Sequence, residues 1–288
     1  MCDDFTAHEE EAALAAQGLN RREFAALSGI AALLAAMPAA AAAPALAERK
    51  VRIPTADGVA DAQFIYPKRG RHPGVILWPD IAGPRDAYTV MARRLAEAGY
   101  AVLVVNQYYR SAPAPILNSI AEWRTAEGQA KLAPMIAQIT AESVARDAKA
   151  YVAFLDSKKP VDKRRGIGTQ GYCMTGPFTI RTAAAVPGRV KAAASFHGGG
   201  LVTAKPDSPH LLFASTSASY LIAIARNDDA RAPSDKDTLR TAAAAAKRPA
   251  EIEVYNGDHG WCTLDAPVYD KAEAERAWAR LLALYAKL

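Results

Sequence analysis

Short apolar runs alternate with amphipathic stretches along the chain from Lys50 onward. The runs at 74–78 and 101–105 are apolar at nearly every position, which is typical of strands buried on both faces. The stretch 87–97 instead repeats its apolar positions at helical spacing, and Gly99 follows it as a helix stop. This alternation predicts an α/β fold with a mostly parallel central sheet and helices on both faces.

The same reasoning divides the rest of the chain into elements of one domain, over residues 48–288. Strands are predicted at 51–54, 62–66, 74–78, 101–105, 166–172, 190–196, 220–224 and 251–255, the first two as a hairpin. Helices are predicted at 87–97, 135–156, 176–185, 235–246 and 266–287, with an irregular region at 111–133. Ligands of such sheets bind beyond the carboxyl ends of the strands, so the residues that follow each strand are candidates for a site.

The first 47 residues have a different composition and predict an export signal. An arginine pair at 21–22 precedes an alanine-rich apolar run at 25–43, and 45–47 offers small residues where a signal peptidase cleaves. This order resembles a twin-arginine signal. It predicts cleavage after Ala47 and a periplasmic or otherwise exported protein. The alternatives are a surface helix capped by the arginines and an apolar run retained as a membrane anchor.

Charge and cysteine content narrow the function classes. Removing 1–47 leaves 33 basic and 24 acidic residues, a formal net charge of +9. This charge would favour anionic substrates or envelope surfaces, and the alternative is an ordinary solvated surface. The charges are scattered and no nucleic-acid motif is present, so no nucleic-acid partner is expected. A membrane contact is expected only through the export signal. Three cysteines without zinc-site spacing, and no dinucleotide or phosphate-binding loop, predict neither a metal nor an organic cofactor.

One strand end carries the pattern of a nucleophile elbow. The segment 171–176, Gly-Tyr-Cys-Met-Thr-Gly, follows a predicted strand and opens a predicted helix. Such a tight turn lifts a nucleophile above the sheet and needs small flanking residues. Cys173 would lie at a helix N-terminus, where the helix dipole favours the thiolate. The alternative is an ordinary buried cysteine.

Two later strand ends supply partners for this thiol. Asp228 follows the predicted strand 220–224, and His259 follows the strand 251–255. The order nucleophile, acid, histidine is that of α/β-hydrolases. Histidine would move the proton and the acid would hold its tautomer. Asp229 is the adjacent alternative to Asp228.

These segments together resemble the dienelactone hydrolase family over nearly all of residues 48–288. The elbow at 171–173, the region of Asp228, the segment His-Gly-Trp at 259–261 and the segment Trp-Pro-Asp-Ile-Ala-Gly at 78–83 carry the resemblance. It implies an α/β-hydrolase fold and an esterase or lactonase with a cysteine nucleophile. It also implies an oxyanion hole formed by the backbone N–H groups of Ile81 and Met174.

The resemblance implies further roles near the nucleophile. Asp80 stands where the family has an acidic residue that keeps the resting cysteine neutral, although the usual residue is the longer glutamate. Arg110 matches a position that binds a substrate carboxylate, but Thr263 replaces a second arginine, so an ester or lactone other than dienelactone is the expected substrate. Thr175 replaces the second glycine of the elbow.

Four other residues leave alternatives open. Tyr108 and Trp261 would contact substrate or fill the core. Cys262 would pack in the core or form a disulfide with Cys173 that inactivates the enzyme. His197 would line the pocket or belong to a plain turn. Two other function classes therefore remain, namely a binding protein that keeps the fold without turnover and a thiol redox sensor that uses both cysteines.

Overall fold

The computed structural model describes residues 44–288, which contain one eight-stranded sheet in the order β1-β2-β4-β3-β5-β6-β7-β8. The strands are β1 (Leu46–Thr55), β2 (Gly58–Pro67), β3 (Gly74–Trp78), β4 (Ala101–Val105), β5 (Ile167–Tyr172), β6 (Val190–Phe196), β7 (Ser219–Ala225) and β8 (Ala250–Tyr255). The hairpin β1–β2 joins β4 in antiparallel fashion, and all pairings from β4 to β8 are parallel. The predicted mostly parallel sheet is confirmed.

Helices cover both faces of this sheet, as predicted. They are α1 (Asp86–Glu97), α2 (Ile120–Trp123), α3 (Ala126–Ala137), α4 (Ala141–Ser157), α5 (Gly176–Ala185), α6 (Arg226–Arg231), α7 (Asp235–Ala245) and α8 (Lys271–Tyr285). The helices α1 and α8 enclose one apolar core with Tyr88, Leu95 and Leu281. The helices α4, α5 and α7 enclose a second core that contains Tyr151 and Phe178.

The region between β4 and β5 differs from the prediction. Residues 126–137 form a helix, where an irregular segment was expected, and the single helix predicted at 135–156 is wrong. The chain leaves the helical path at 138–140 because Thr140 caps α4. Its hydroxyl accepts the Ser143 N–H at 3.1 Å while the Ser143 hydroxyl accepts the Thr140 N–H at 2.9 Å. Such reciprocal capping starts a new helix instead of continuing an old one.

The closing helix also starts later than predicted. It begins at Lys271 instead of Ala266, because the side chain of Asp270 accepts the Glu273 N–H at 3.1 Å and caps it.

The N-terminal boundary lies close to the predicted cleavage point. Strand β1 begins at Leu46, and Ala47 pairs with Tyr66 across the hairpin, so a cut after Ala47 would remove the first two residues of the strand. The arginine pair at 21–22 and the apolar run at 25–43 lie outside the described residues. Within 44–288, no helix combines the length and the apolar character that a membrane span requires.

Candidate active site

The turn after β5 holds Cys173 in a conformation that few non-glycine residues adopt. Its φ is 55°, in the left-handed region, and a 3₁₀ turn at Cys173–Thr175 leads directly into α5. A Cβ at Gly171 would approach the carbonyl oxygen of Thr175 to 2.3 Å, and one at Gly176 would approach the Cα of Gly198 to 2.5 Å. These contacts explain why the turn needs both glycines. Backbone strain of this kind costs about 1–3 kcal/mol and concentrates at functional sites.

Thr175, which departs from the expected glycine, ties the turn to the sheet. Its buried hydroxyl accepts the Tyr172 N–H at 2.9 Å and lies 2.9 Å from the carbonyl oxygen of Trp78 at the end of β3. The side chain therefore fastens the elbow to the neighbouring strand. Small residues are expected beside the nucleophile, and Gly176 is one that allows the turn to approach β6 closely.

The ends of β7 and β8 bring Asp228 and His259 together. Their side chains join Oδ2 to Nδ1 at 2.7 Å, and Oδ1 of Asn227 accepts the backbone N–H of His259 at 2.9 Å. A carboxylate only accepts hydrogen bonds, so the ring proton lies on Nδ1 and leaves the lone pair of Nε2 for another proton. The side chain of His259 is only 12% exposed, which limits competition from water.

The hydrogen bonds also distinguish Asp228 from the adjacent Asp229. Both carboxylate oxygens of Asp229 accept from Nζ of Lys236, at 2.7 and 2.8 Å, away from the histidine. Oδ1 of Asp228 accepts from Arg231 at 2.5 Å. Burial alone would raise the pKa of Asp228, but the hydrogen bond and charge of His259 outweigh burial and lower it. Asp228 is thus an ionised partner of the histidine.

The two candidate oxyanion donors have backbone positions that leave their N–H groups available. Ile81 is the second residue of a turn whose hydrogen bond runs from the Gly83 N–H to the Asp80 carbonyl at 3.0 Å, so its own N–H takes no part in it. Met174 lies in the first turn of the 3₁₀ helix, where N–H groups have no partner within the helix.

Tyr108 lies behind these donors and is 1% exposed. Its hydroxyl donates to the carbonyl of Ile81 at 2.7 Å and lies 3.9 Å from Sδ of Met174. Burial under this loop does not support the expected contact with substrate. The side chain instead supports the loop that carries the Ile81 N–H.

Asp80 is held by a buried ion pair. Its two oxygens accept from Arg85 at 2.7 and 2.8 Å, and Oδ1 also accepts the Ala82 N–H at 3.0 Å. Arg85 extends the pair to Asp265 at 2.7 and 2.8 Å. The ion pair therefore competes for the carboxylate that was expected to keep Cys173 neutral.

Arg110 is also occupied by carboxylates. It donates to both oxygens of Asp147, at 2.9 and 2.7 Å, and to Asp57 at 2.6 Å, with 13% of its side chain exposed. The expected role in binding a substrate carboxylate is therefore not supported, because two protein carboxylates already neutralise this guanidinium.

Trp261 and His197 are both buried, and their ring centroids lie 6.4 Å apart. Trp261 is 0% exposed and stacks on Tyr255 with ring centroids 4.7 Å apart, so the expected substrate contact is replaced by core packing. The ring of His197 lies 4.8 Å from that of His259 in an edge-on arrangement. Burial, and secondarily the charge of His259, lower the pKa of His197 well below its usual value. His197 is therefore a neutral neighbour of the site.

Cys262 belongs to a different environment from Cys173. Within residues 44–288 neither cysteine is in a disulfide, and the two pack in different apolar clusters. Burial raises the pKa of Cys262 well above its ordinary value, so this thiol stays protonated. The packing alternative accounts for Cys262, and the disulfide alternative has no support in the structure.

A cavity of about 770 Å³ opens beside two members of the candidate triad. Asp228 and His259 line it together with Ile81 and Met174, which carry the candidate oxyanion donors. Apolar side chains of α2, α3 and α7 also line it, such as Trp123, Ile136 and Leu239. No three His, Cys, Asp or Glu residues within 44–288 are grouped so as to hold a metal ion.

The sequence is similar to one protein-family model and to several curated proteins. The model of the dienelactone hydrolase family matches residues 60–288. The chain belongs to the dienelactone hydrolase family. A Methylorubrum extorquens protein named "Putative carboxymethylenebutenolidase" is 28% identical over 81% of this chain and 78% of its own. The "Carboxymethylenebutenolidase" of Rhodococcus opacus is 27% identical over 73% of this chain and 79% of its own.

The fold of this dienelactone hydrolase family member also matches solved structures. The structure named "Putative Dienelactone Hydrolase" from Klebsiella pneumoniae superposes with a TM-score of 0.73 at 24% identity. The match covers 85% of this chain and 100% of that one. At this level of identity the match shows the α/β-hydrolase fold alone.

Sequence reasoning missed several side chains that support the site. Asn227 binds the backbone of His259, Arg231 binds Asp228, and Thr175 fastens the elbow. Arg231 had a detectable signal, since it follows Asp228 by three residues, a spacing that places both on one side of a helical turn. Nothing in the sequence marked the Thr175 contact, because its partner Trp78 lies on another strand.

Proposed function

We propose that this dienelactone hydrolase family member hydrolyses carboxylic esters or lactones by acyl transfer to the thiol of Cys173. The observation that carries the proposal is the 2.7 Å hydrogen bond between Asp228 and Nδ1 of His259. It leaves Nε2 as a base at the sheet edge where the strained turn after β5 holds the cysteine. A buried structural cysteine would need neither that turn nor that histidine tautomer.

The reaction has two steps. Nε2 of His259 takes the thiol proton, the thiolate attacks the carbonyl carbon, and the C–O bond breaks as the alkoxide receives that proton. Water then gives its proton to His259 and attacks the thioester, which releases the carboxylic acid and restores the thiol. Asp228 orients the ring throughout, and the N–H groups of Ile81 and Met174 bind the carbonyl oxygen when it carries charge. Each such donor is worth about 3–4 kcal/mol in acyl transfer.

The test uses the full-length protein and a short nitrophenyl ester in the presence of reductant. We expect Cys173→Ala to lose at least about a thousandfold in kcat/KM, because it removes the nucleophile. Cys262→Ala is the matched control, since its thiol is buried, protonated and in another cluster. It should keep its activity within about twofold.

A second readout identifies the covalent step. Mass spectrometry of the protein quenched during turnover of a slow ester should show an acyl group on Cys173. Turnover that survives Cys173→Ala would contradict the mechanism. Equal inertness of all three proteins on esters and on a lactone panel would instead favour the binding protein without turnover.

We also propose that segment 1–47 directs export of the folded domain. The support is the arginine pair at 21–22 followed by the apolar run at 25–43. Replacing both arginines by lysine should keep the protein in the cytoplasmic fraction of the bacterial cells that express it. Unchanged distribution between the cytoplasmic and periplasmic fractions would contradict this proposal.

A further inference from the structure

The wall of the active-site cavity beside His259 carries an uneven set of charges. Its ionisable residues on α6 and α7 are three acids and two bases, namely Asp228, Asp229, Arg231, Asp235 and Lys236. Both bases are bound to an acid of the same wall, Arg231 to Asp228 at 2.5 Å and Lys236 to Asp229 at 2.7 Å. One acid is therefore left over.

That acid is Asp235, at the start of α7. Its carboxylate has no ion pair or hydrogen bond with any side chain in 44–288, and the charge of His210 is the one interaction within that range that lowers its pKa. The side chain is partly buried, and burial raises the pKa of its carboxyl. The N-terminus of α7 favours an ionised carboxylate at this position, but no basic side chain forms an ion pair with it within 44–288. A ligand that brings a positive charge would supply that partner.

The rest of the cavity suits an apolar chain that ends in such a charge. Trp123, Ile136 and Leu239 line it, and these side chains would surround the apolar part of such a ligand. The cavity is large enough for a ligand of drug size, which pockets of about 300–1,000 Å³ accept. Arg231 and Lys236 are not available to bind an anion, because each is already paired.

We propose that Asp235 is a specificity-determining residue that selects esters whose apolar portion ends in an ammonium group. The inference rests on the proposed ester hydrolysis and names its substrate class. It runs against the net positive charge of the whole chain, which would favour anionic substrates. The local arrangement takes precedence because a charge in the cavity wall acts at short range and in a less polar medium than distant surface charges.

The first experiment measures binding without turnover. Calorimetry on the full-length protein at low ionic strength compares hexyltrimethylammonium with hexanesulfonate, which has the same chain and the opposite charge. The variant is Asp235→Asn. The matched control is Asp237→Asn, because Asp237 lies in the same first turn of α7 but is 71% exposed and paired with Arg240.

We expect the protein to bind the ammonium ion more tightly than the sulfonate. Asp235→Asn should weaken ammonium binding about fivefold, the upper range for a partly exposed ion pair, and Asp237→Asn should leave it unchanged. Equal ammonium affinity in all three proteins, or tighter binding of the sulfonate by the unmodified protein, would overturn the proposal.

The second experiment carries the same comparison into catalysis. Two nitrophenyl esters serve as substrates, one of trimethylammoniobutyrate and one of its isostere in which a quaternary carbon replaces the nitrogen. The ratio of their kcat/KM values on one protein cancels any effect on the catalytic groups. We expect this ratio to fall about fivefold in Asp235→Asn and to stay constant in Asp237→Asn.

The two experiments separate the two proposals. If the protein binds the ammonium ion through Asp235 but hydrolyses neither ester, the binding site stands and the proposed reaction fails. If Cys173-dependent hydrolysis occurs with a ratio that Asp235→Asn does not change, the reaction stands and the role of Asp235 fails.

Discussion

Asp80→Asn removes one charge from a buried ion pair and tests whether this residue supports the fold. Asp80 and Arg85 are 3% and 6% exposed, and the asparagine would leave the guanidinium with Asp265 as its remaining carboxylate. Breaking a buried pair costs about 3–5 kcal/mol when the other charge is left uncompensated. Because Asp265 keeps its two hydrogen bonds to Arg85, we expect a smaller loss of about 2–3 kcal/mol in the free energy of unfolding.

The matched control is Glu275→Gln, which removes one charge from an exposed pair of the same geometry. Glu275 accepts two hydrogen bonds from Arg94, at 2.7 and 2.6 Å, but the side chains are 45% and 42% exposed. Exposed pairs contribute about 0–1 kcal/mol, so this variant should be nearly as stable as the unmodified protein. Burial alone then distinguishes the two substitutions.

Urea denaturation monitored by tryptophan fluorescence measures the loss of unfolding free energy in both variants, and thermal unfolding provides a second measurement. For a protein of this size the Asp80→Asn variant should melt about 5–10 °C lower. A loss below about 1 kcal/mol, or equal losses in the two variants, would refute the argument that burial makes this pair important.

The same variant addresses the expected gating role. Alkylation of Cys173 by iodoacetamide, measured in a Cys262→Ala background, reports the thiolate. If Asp80 acts only through Arg85, the pH dependence of alkylation should not move. If it keeps the thiol neutral, Asp80→Asn should shift alkylation to lower pH.

Three further predictions test the site and its surroundings. Asp228→Asn directs an amide N–H at Nδ1 of His259 and forces the wrong tautomer, so kcat/KM on a nitrophenyl ester should fall about a thousandfold or more. Asp229 binds Lys236 instead, so Asp229→Asn should keep kcat/KM within about tenfold. Equal losses in the two variants would contradict the assignment of Asp228. Tyr108→Phe removes the hydroxyl that donates to the Ile81 carbonyl, so urea denaturation should show a loss of about 1–3 kcal/mol in the free energy of unfolding. The value of kcat should fall by a larger factor than KM rises. An effect on KM alone would contradict the support of the oxyanion loop by Tyr108. His197→Phe removes a histidine whose pKa is lowered by burial. Below about pH 6.5 the unfolded chain binds a proton at this histidine and the folded protein does not, so the unmodified protein should lose about 1.4 kcal/mol of stability per pH unit relative to the variant. Identical pH dependence of thermal unfolding in the two proteins would refute this.

The strand pattern predicted most of the fold because period and composition are local properties. Seven of the predicted runs, from 62–66 to 251–255, overlap the observed strands β2 to β8, and 51–54 lies within β1. The break between α3 and α4 was not predicted, because residues 135–156 keep helix-forming composition through it. The reciprocal capping between Thr140 and Ser143 instead starts a new helix at Ala141.

The sequence by itself also determined which residues follow which strands, and so placed Cys173, Asp228 and His259 at one edge of a parallel sheet. It left Asp228 and Asp229 as alternatives, because adjacent residues on a turn differ only in direction. The tertiary structure decided between them by giving Asp229 to Lys236 and Asp228 to His259.

The sequence could not predict which charged side chains pair with each other, because the partners are far apart along the chain. Arg110 and Asp147 are 37 residues apart, and Arg85 and Asp265 are 180 apart, so no local pattern connects them. Only the packed chain shows that the predicted anion-binding arginine is already neutralised. It likewise shows that Asp235 is left without an ion pair in the cavity wall. Local order along the chain therefore determined the candidate residues, while contacts between distant residues determined which charged side chains the protein itself neutralises.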